Sequence, residues 1–296
     1  MLLRRSLFLS LAAVLHYGLR LVSLAAISGI FGAPVIANED VQSAHWAYSA
    51  IFGTGWYRIA DNRAVFVLRI PPRQTLRASS ISATGERTLG IELHYPVTLG
   101  LHNIDEIPEI ADSNNFGTIS FTPGIEFEVP VSKAFYLRPF AHFGWGKNLE
   151  DDDDAWIYYA GIKSRYTFSK GGLDWGLLGS LYYAGYNPDI GTSNDIAALL
   201  VGVEFSKQLN SSLFDHDLDL RTHLTYSTLN QELEYFDESG SRGVDDVVEI
   251  GIAFSYRGDP INLGLFRVEQ IGLAYEASPE GDYSAIKFNL RSWFTR

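Results

Sequence analysis

His223, Ser227 and Asp219 are the residue types of a hydrolase, in which an imidazole takes the proton of a serine nucleophile and a carboxylate orients the ring. Their spacing argues against that chemistry. On an extended chain the i, i+4 offset puts His223 and Ser227 ~13 Å apart, beyond hydrogen-bond reach. Glu126, Glu128, Arg138, His142, Lys163 and Arg165 form a second group, whose opposite charges can pair across neighbouring strands. Around a pore they would set ion selectivity or a gating constriction. Equally, they would form a plug of mutually neutralised side chains, because interior charges must pair whether or not anything is transported. The densest acidic run is Glu150, Asp151, Asp152, Asp153 and Asp154, whose oxygens suit a hard cation. It lacks the spacing and turn glycine of a dedicated calcium loop, and the alternative is a solvated, self-repelling loop. The sequence therefore implies no dedicated metal site, no cofactor and no catalytic residue.

The elements that must position these groups are about twelve amphipathic, aromatic-rich strands. They begin near Trp46, Ala64, Glu86, Phe116, Ala134, Ala155, Leu173, Ile196, Leu218, Val247, Ile261 and Tyr283. Successive side chains on a strand point to opposite faces. In the fourth strand Ile119, Phe121, Ile125, Phe127 and Val129 share one face, and Thr118, Ser120, Thr122, Glu126 and Glu128 the other. In the fifth, Phe135, Leu137, Phe143 and Trp145 oppose Arg138, His142 and two glycines. Trp156, Tyr158, Ile162 and Tyr166 oppose Lys163 and Arg165 in the sixth. The last strand turns Ile286, Phe288 and Leu290 away from Lys287, Asn289 and Arg291. The eleventh breaks the rule, since Leu263 and Leu265 share a parity with Arg267 and Glu269, which predicts a bulge or another register there. Pro123 and Pro139 lack a ladder donor and predict bulges or strand ends. Trp145, Trp156, Trp175, Tyr226 and Tyr256 are candidates for an aromatic girdle.

The connections alternate. Those after the fourth, sixth and tenth strands are tight, at 131–133, 169–172 and 257–260. Those after the third, fifth, seventh and ninth are longer and acidic, at 105–112, 150–154, 187–195 and 232–246. The turn at 210–217 is longer than its peers. A membrane imposes this asymmetry on a transmembrane, antiparallel, up-and-down β-barrel, with short turns on one side and long loops on the other.

Residues 1–37 have the form of a secretory signal peptide, with Arg4 and Arg5 ahead of an apolar run that His16 and Arg20 interrupt. A retained anchor or a start codon placed too far upstream are the alternatives. Residues 38–296 then form one barrel domain. Removing the leader takes three basic residues with it and moves the formal charge from −12 to −15, which disfavours nucleic acid as a partner. There are no cysteines, so neither disulfides nor thiolate metal sites contribute.

In strand count and spacing the chain resembles bacterial outer-membrane β-barrels, and in particular the translocator barrel of autotransporters. Lys287, Phe288, Asn289, Leu290, Arg291, Ser292, Trp293 and Phe294 resemble that family's terminal strand, which alternates toward a final aromatic read by the barrel assembly machinery; here Thr295 and Arg296 follow it. Too few residues separate the leader from the first strand for a passenger, so the resemblance extends to the solitary autotransporter-like barrels. It implies a monomer in the outer membrane, contacting lipid and lipopolysaccharide, that acts as a narrow pore or a structural surface protein. A surface-binding module using the acidic loops is the alternative. A lipid-modifying enzyme is a third reading, although the His and Ser-Asn-Gly motif of outer-membrane phospholipases has no counterpart here.

Overall fold

Strands with apolar side chains on one parity and small or polar ones on the other can satisfy both faces by curling into a cylinder, which also leaves no free edge. The computed structural model takes that form. It describes residues 52–59, 63–102, 116–149, 153–189, 191, 193–213, 216–237, 240–257, 261–263, 266–281 and 283–289. The leader at 1–37 and the strand start expected near Trp46 lie outside the described residues.

The first part of the wall is built from β1 (Gly55–Ile59), β2 (Arg63–Ile70), β3 (Arg73–Arg77), β6 (Gly90–His94), β7 (Val97–His102), β8 (Phe116–Phe121) and β9 (Gly124–Pro130), with β4 (Ser80–Ile81) and β5 (Arg87–Thr88) as a small hairpin between β3 and β6. Long strands follow: β10 (Phe135–Asn148), β11 (Asp153–Lys170), β12 (Leu173–Pro188), β13 (Asn194–Leu213), β14 (His216–Asp237) and β15 (Gly240–Tyr256). A second small hairpin, β16 (Ile261–Leu263) and β17 (Phe266–Val268), precedes β18 (Gln270–Ala277) and β19 (Tyr283–Asn289). Every pairing in the wall is antiparallel, β19 pairs with β1, and β10 pairs with β11 as well as with β8 and β9, so the sheet closes.

Three staves of the wall are each interrupted once, at Pro71 and Pro72, at Pro96, and at Pro123. The register does not slip at these points. Val65 faces His102 above the break and Arg73 faces His94 below it, in one continuous count. Trp145–Phe121 and Ala141–Ile125 are likewise in one register. Proline withholds an N–H but keeps its carbonyl, and here those carbonyls still accept: Pro72 from Tyr95 N–H at 2.8 Å, Pro96 from Thr122 at 3.2 Å and Pro123 from Phe143 at 3.0 Å. Counting β2–β3, β6–β7 and β8–β9 as single staves, the described residues form a closed up-and-down barrel of twelve.

The polarity of the wall is inverted. Ile250 is 60% exposed and Ile271 55%, with Phe143, Leu181, Leu224, Leu273 and Ile286 also facing out, whereas Glu126 is 2% exposed and Glu249 4%. Aromatic stacks bound this outer face: Phe143 on Trp156 at 5.3 Å and Tyr158 on Tyr183 at 6.2 Å toward one end, and Phe168 on Trp175 at 6.0 Å and Trp175 against Phe205 at 5.3 Å toward the other. Tyr256 does not belong to them, being 9% exposed.

Sequence and structure part at three connections. Gly171 and Gly172, with φ of +67° and +74°, make the tight turn expected between β11 and β12, a conformation that favours glycine. The connection at 257–269 is not tight, because residues 261–268 close on themselves as β16–β17 and the wall stave begins only at Gln270. The stave expected from Ile261 is thereby corrected. The described residues of 232–246 and 210–217 are not loops either. Leu233 faces Val244 and Asp237 faces Gly240 past a register shift, so β14 and β15 extend beyond the wall as a paired arm; Leu213 faces His216 past a similar shift after Gln208.

Candidate functional site

The lumen is the concave surface that the twelve staves share, and the alternation of each stave decides which residues reach it. In the half nearer the turn at 171–172, register places like charges directly opposite one another: Glu92 faces Glu126 between β6 and β9, and Arg138 faces Lys163 between β10 and β11. Directly opposed like charges repel. The square is neutralised along its diagonals, with Lys163 Nζ 2.8 Å from Glu126 Oε2 and Arg138 Nε 3.0 Å from Glu126 Oε1 and 3.2 Å from Glu128 Oε2. Glu128 also accepts a hydrogen bond from Ser79. Arg73 pairs with Glu269, across the intervening β19 and β1.

Of the six lumen residues expected from the sequence, Glu126, Glu128, Arg138 and Lys163 therefore meet in one network, and Arg165 lies half-buried on the same face. His142 stands aside. Its Nδ1–H donates to the Thr122 carbonyl at 2.9 Å and its ring stacks on Tyr159 at 4.3 Å. The ring lies over Gly124, where a Cβ would come within 2.3 Å of Nδ1.

Glu92, His94 and Glu126 offer ligand atoms within 4.8 Å of one another, a donor set that suits a divalent ion. The neighbouring charges do not. Both oxygens of Glu126 are engaged by Lys163 and Arg138, and Arg73 stands 4.0 Å from Glu92, so a metal ion would enter beside three fixed cations.

A second cluster was not evident from the sequence. Glu249 on β15 faces Glu276 on β18, again like against like, and Lys287 on β19 bridges them at 2.5 and 2.7 Å. His223 Nε2 lies 2.8 Å from the other oxygen of Glu249, its ring over Gly251, where a Cβ would come within 2.1 Å of the imidazole. Tyr283 donates to Glu276. The inward parity of Lys287 was legible. Its partners were not, because Glu276 belongs to the stave that sequence periodicity placed elsewhere.

This geometry dismantles the hydrolase arrangement. His223 is committed to Glu249, and Asp219 to Arg257 at 2.9 Å. Residues 150–152 of the acidic run lie outside the described residues. Asp153 and Asp154 open β11, with Lys147 3.9 Å from Asp154.

Toward the other end, apolar clusters stand beside the Lys287 network, with Glu276 directly opposite Ala285. Ala155, Ile157, Tyr159, Ala184, Tyr186 and Ile196 form one cluster on β11, β12 and β13, and Tyr57, Val67, Val244, Tyr283 and Ala285 form another on β1, β2, β15 and β19. These sides of the ring face each other, and Phe52 packs against both clusters. Parity alone turns Ala155, Ile157 and Tyr159 inward, but Phe52 carries no periodic signature that separates it from the outward-facing aromatics.

No family model matches the chain, and no curated protein matches it. Among solved structures, the β domain of the Bordetella autotransporter BrkA is similar at 12% identity, covering 79% of this chain and 92% of that one with a TM-score of 0.48.

Proposed function

We propose that the chain is an integral β-barrel of the bacterial outer membrane, closed at rest by its own lumenal side chains. The inverted polarity of the wall carries this reading: large apolar side chains exposed on the outer face of the staves from β10 round to β19, with paired charges inside, suit a cylinder in lipid. Trp156 and Phe168, in the two aromatic stacks, span 12 residues of β11. That is ~40 Å along the strand and ~30 Å along an axis tilted by ~40°, the thickness of a hydrocarbon core.

Such a barrel has lipid and lipopolysaccharide as its surroundings, is inserted by the barrel assembly machinery after export under its leader, and works as a monomer without a cofactor. Its role is that of a surface barrel with a narrow lumen, structural when closed and passing small ions when open, rather than that of a catalyst. Two measurements on the refolded protein test this. Boiling should shift its mobility on detergent gels, and in planar bilayers the wild type should rest mainly closed. A mobility that boiling leaves unchanged would remove the barrel; wide, constitutive conductance would remove the closed lumen.

A further inference from the structure

We infer that Lys170 and Lys207 form a binding site for the phosphate of an anionic glycerophospholipid, on the outer face of the barrel at the end of the 171–172 turn. The inference rests on the membrane reading above and adds which lipid meets the wall, and where.

Register sets the site. Phe168 on β11 faces Trp175 on β12, which faces Phe205 on β13, and these rings bound the outer face at this end. In the next outward row Lys170 faces Leu173, and the same count carries Lys207 to the other side of Leu173. One stave therefore separates the two lysines, ~10 Å between Cα atoms, with the half-buried Leu173 between them. Lysine stems lie along apolar surface while their ammonium groups reach outward, so both can converge over that leucine. The Trp175 Nε1–H donates to the Lys170 carbonyl at 3.3 Å and ties the middle ring to this row.

Both lysines are exposed, and neither ammonium group has a partner among the described residues. Asp174, beside Leu173, has the inward parity and accepts from Ser169 Oγ at 2.5 Å. Leu220, opposite Lys207 on β14, adds no charge. Two unneutralised cations one row beyond an aromatic boundary suit a lipid phosphate whose acyl chains cover the exposed Tyr166 and Leu177. The loop end has the opposite sign. Asp154, Asp195 and Asp246 share the outward parity there, with Lys147 beside Asp154 and the Tyr226 hydroxyl donating to Asp246 at 2.7 Å. An anionic headgroup is thus favoured in the leaflet at the turn end and repelled at the other.

The test uses phosphatidylcholine vesicles with increasing fractions of phosphatidylglycerol brominated in its acyl chains, which quenches tryptophan on contact. Wild type, Lys170→Gln, Lys207→Gln and the double variant, each first shown to have the mobility of a folded barrel, would be paired with their Trp175→Phe derivatives, so that the difference reports Trp175. Each lysine removed is expected to raise the fraction needed for half-maximal quenching ~5-fold. Sodium phosphate at constant ionic strength should change nothing. Equal quenching in wild type and double variant, or a wild type quenched no better by phosphatidylglycerol than by brominated phosphatidylcholine, would overturn the site and leave the barrel standing. Displacement by inorganic phosphate would overturn the lipid as occupant. Should a lysine variant not fold, the comparison of the two brominated lipids on wild type decides. A wild type without the folded-barrel mobility would overturn the membrane reading itself.

Discussion

Arg69 Nη2 donates to the hydroxyl of Tyr159 at 2.9 Å, joining β2 to β11 across the lumen, with β7, β8 and β10 passing round the wall between them. The backbone of a twelve-stave cylinder is roughly 24 Å across at ~4.8 Å strand spacing and ~40° tilt, so only two long side chains reaching toward each other make such a contact. It sits between the apolar clusters and the Glu126 network, and the Thr122 hydroxyl approaches the same Tyr159 oxygen at 3.3 Å.

Tyr159→Phe removes the acceptor and keeps the ring. We expect a loss of about 1–3 kcal/mol, the range for a hydrogen bond to a charged group and for a partner left behind. Tryptophan fluorescence during urea unfolding in detergent micelles measures it, and an unshifted midpoint would mean that the cross-lumen contact stabilises nothing.

The diagonal neutralisation of Glu92, Glu126, Arg138 and Lys163 predicts non-additivity. Glu126→Gln leaves Lys163 and Arg138 facing each other with less counter-charge, and we expect a cost of about 3 kcal/mol. Adding Lys163→Met should recover part of that loss, giving a coupling of about 1–3 kcal/mol in a double-mutant cycle. Simple additivity of the two substitutions would show that the ion pair is idle.

Gly251→Ala places a methyl where the His223 ring lies and should push the imidazole off Glu249. Overpacking of this kind costs about 1–3 kcal/mol. His223→Ala in the same background should recover stability by making room; a double variant no more stable than Gly251→Ala alone would contradict the steric cause.

Lys287→Met leaves Glu249 and Glu276 opposed with no lysine between them, and we expect about 3–5 kcal/mol of destabilisation. The readout is the temperature at which the mobility of the folded barrel is lost on detergent gels. Restoration by Glu276→Gln in the same chain is expected, and its absence would point to lost packing of the lysine stem instead.

How far the sequence carried depended on what stood at the inward parity. On β10 and β11 the inward residues include arginine, histidine and lysine against outward aromatics, so faces and register are legible from alternation alone. On β18 the inward positions Gly272 and Ala274 are small rather than polar, so the segment lacks contrast, and the apolar run at Ile261–Leu263 competes with it for the eleventh stave. The like-charge pairs were hidden for another reason: parity says which way Glu249 and Glu276 point, but only register says that they meet. Phe52 belongs to no strand, and no period could place it in the lumen.

The lysine between Glu249 and Glu276 also ties the charge balance of the sheet to its closure. Until β19 docks, β15 and β18 carry two facing carboxylates without the cation that reconciles them, and the sheet is incomplete in charge as well as in hydrogen bonds. The stave β19 supplies both the missing donors and the missing cation. Pairing of β19 with β18 is thus favoured electrostatically as well as by the ladder, and a sheet lacking β19 would carry repulsion beside its open edge.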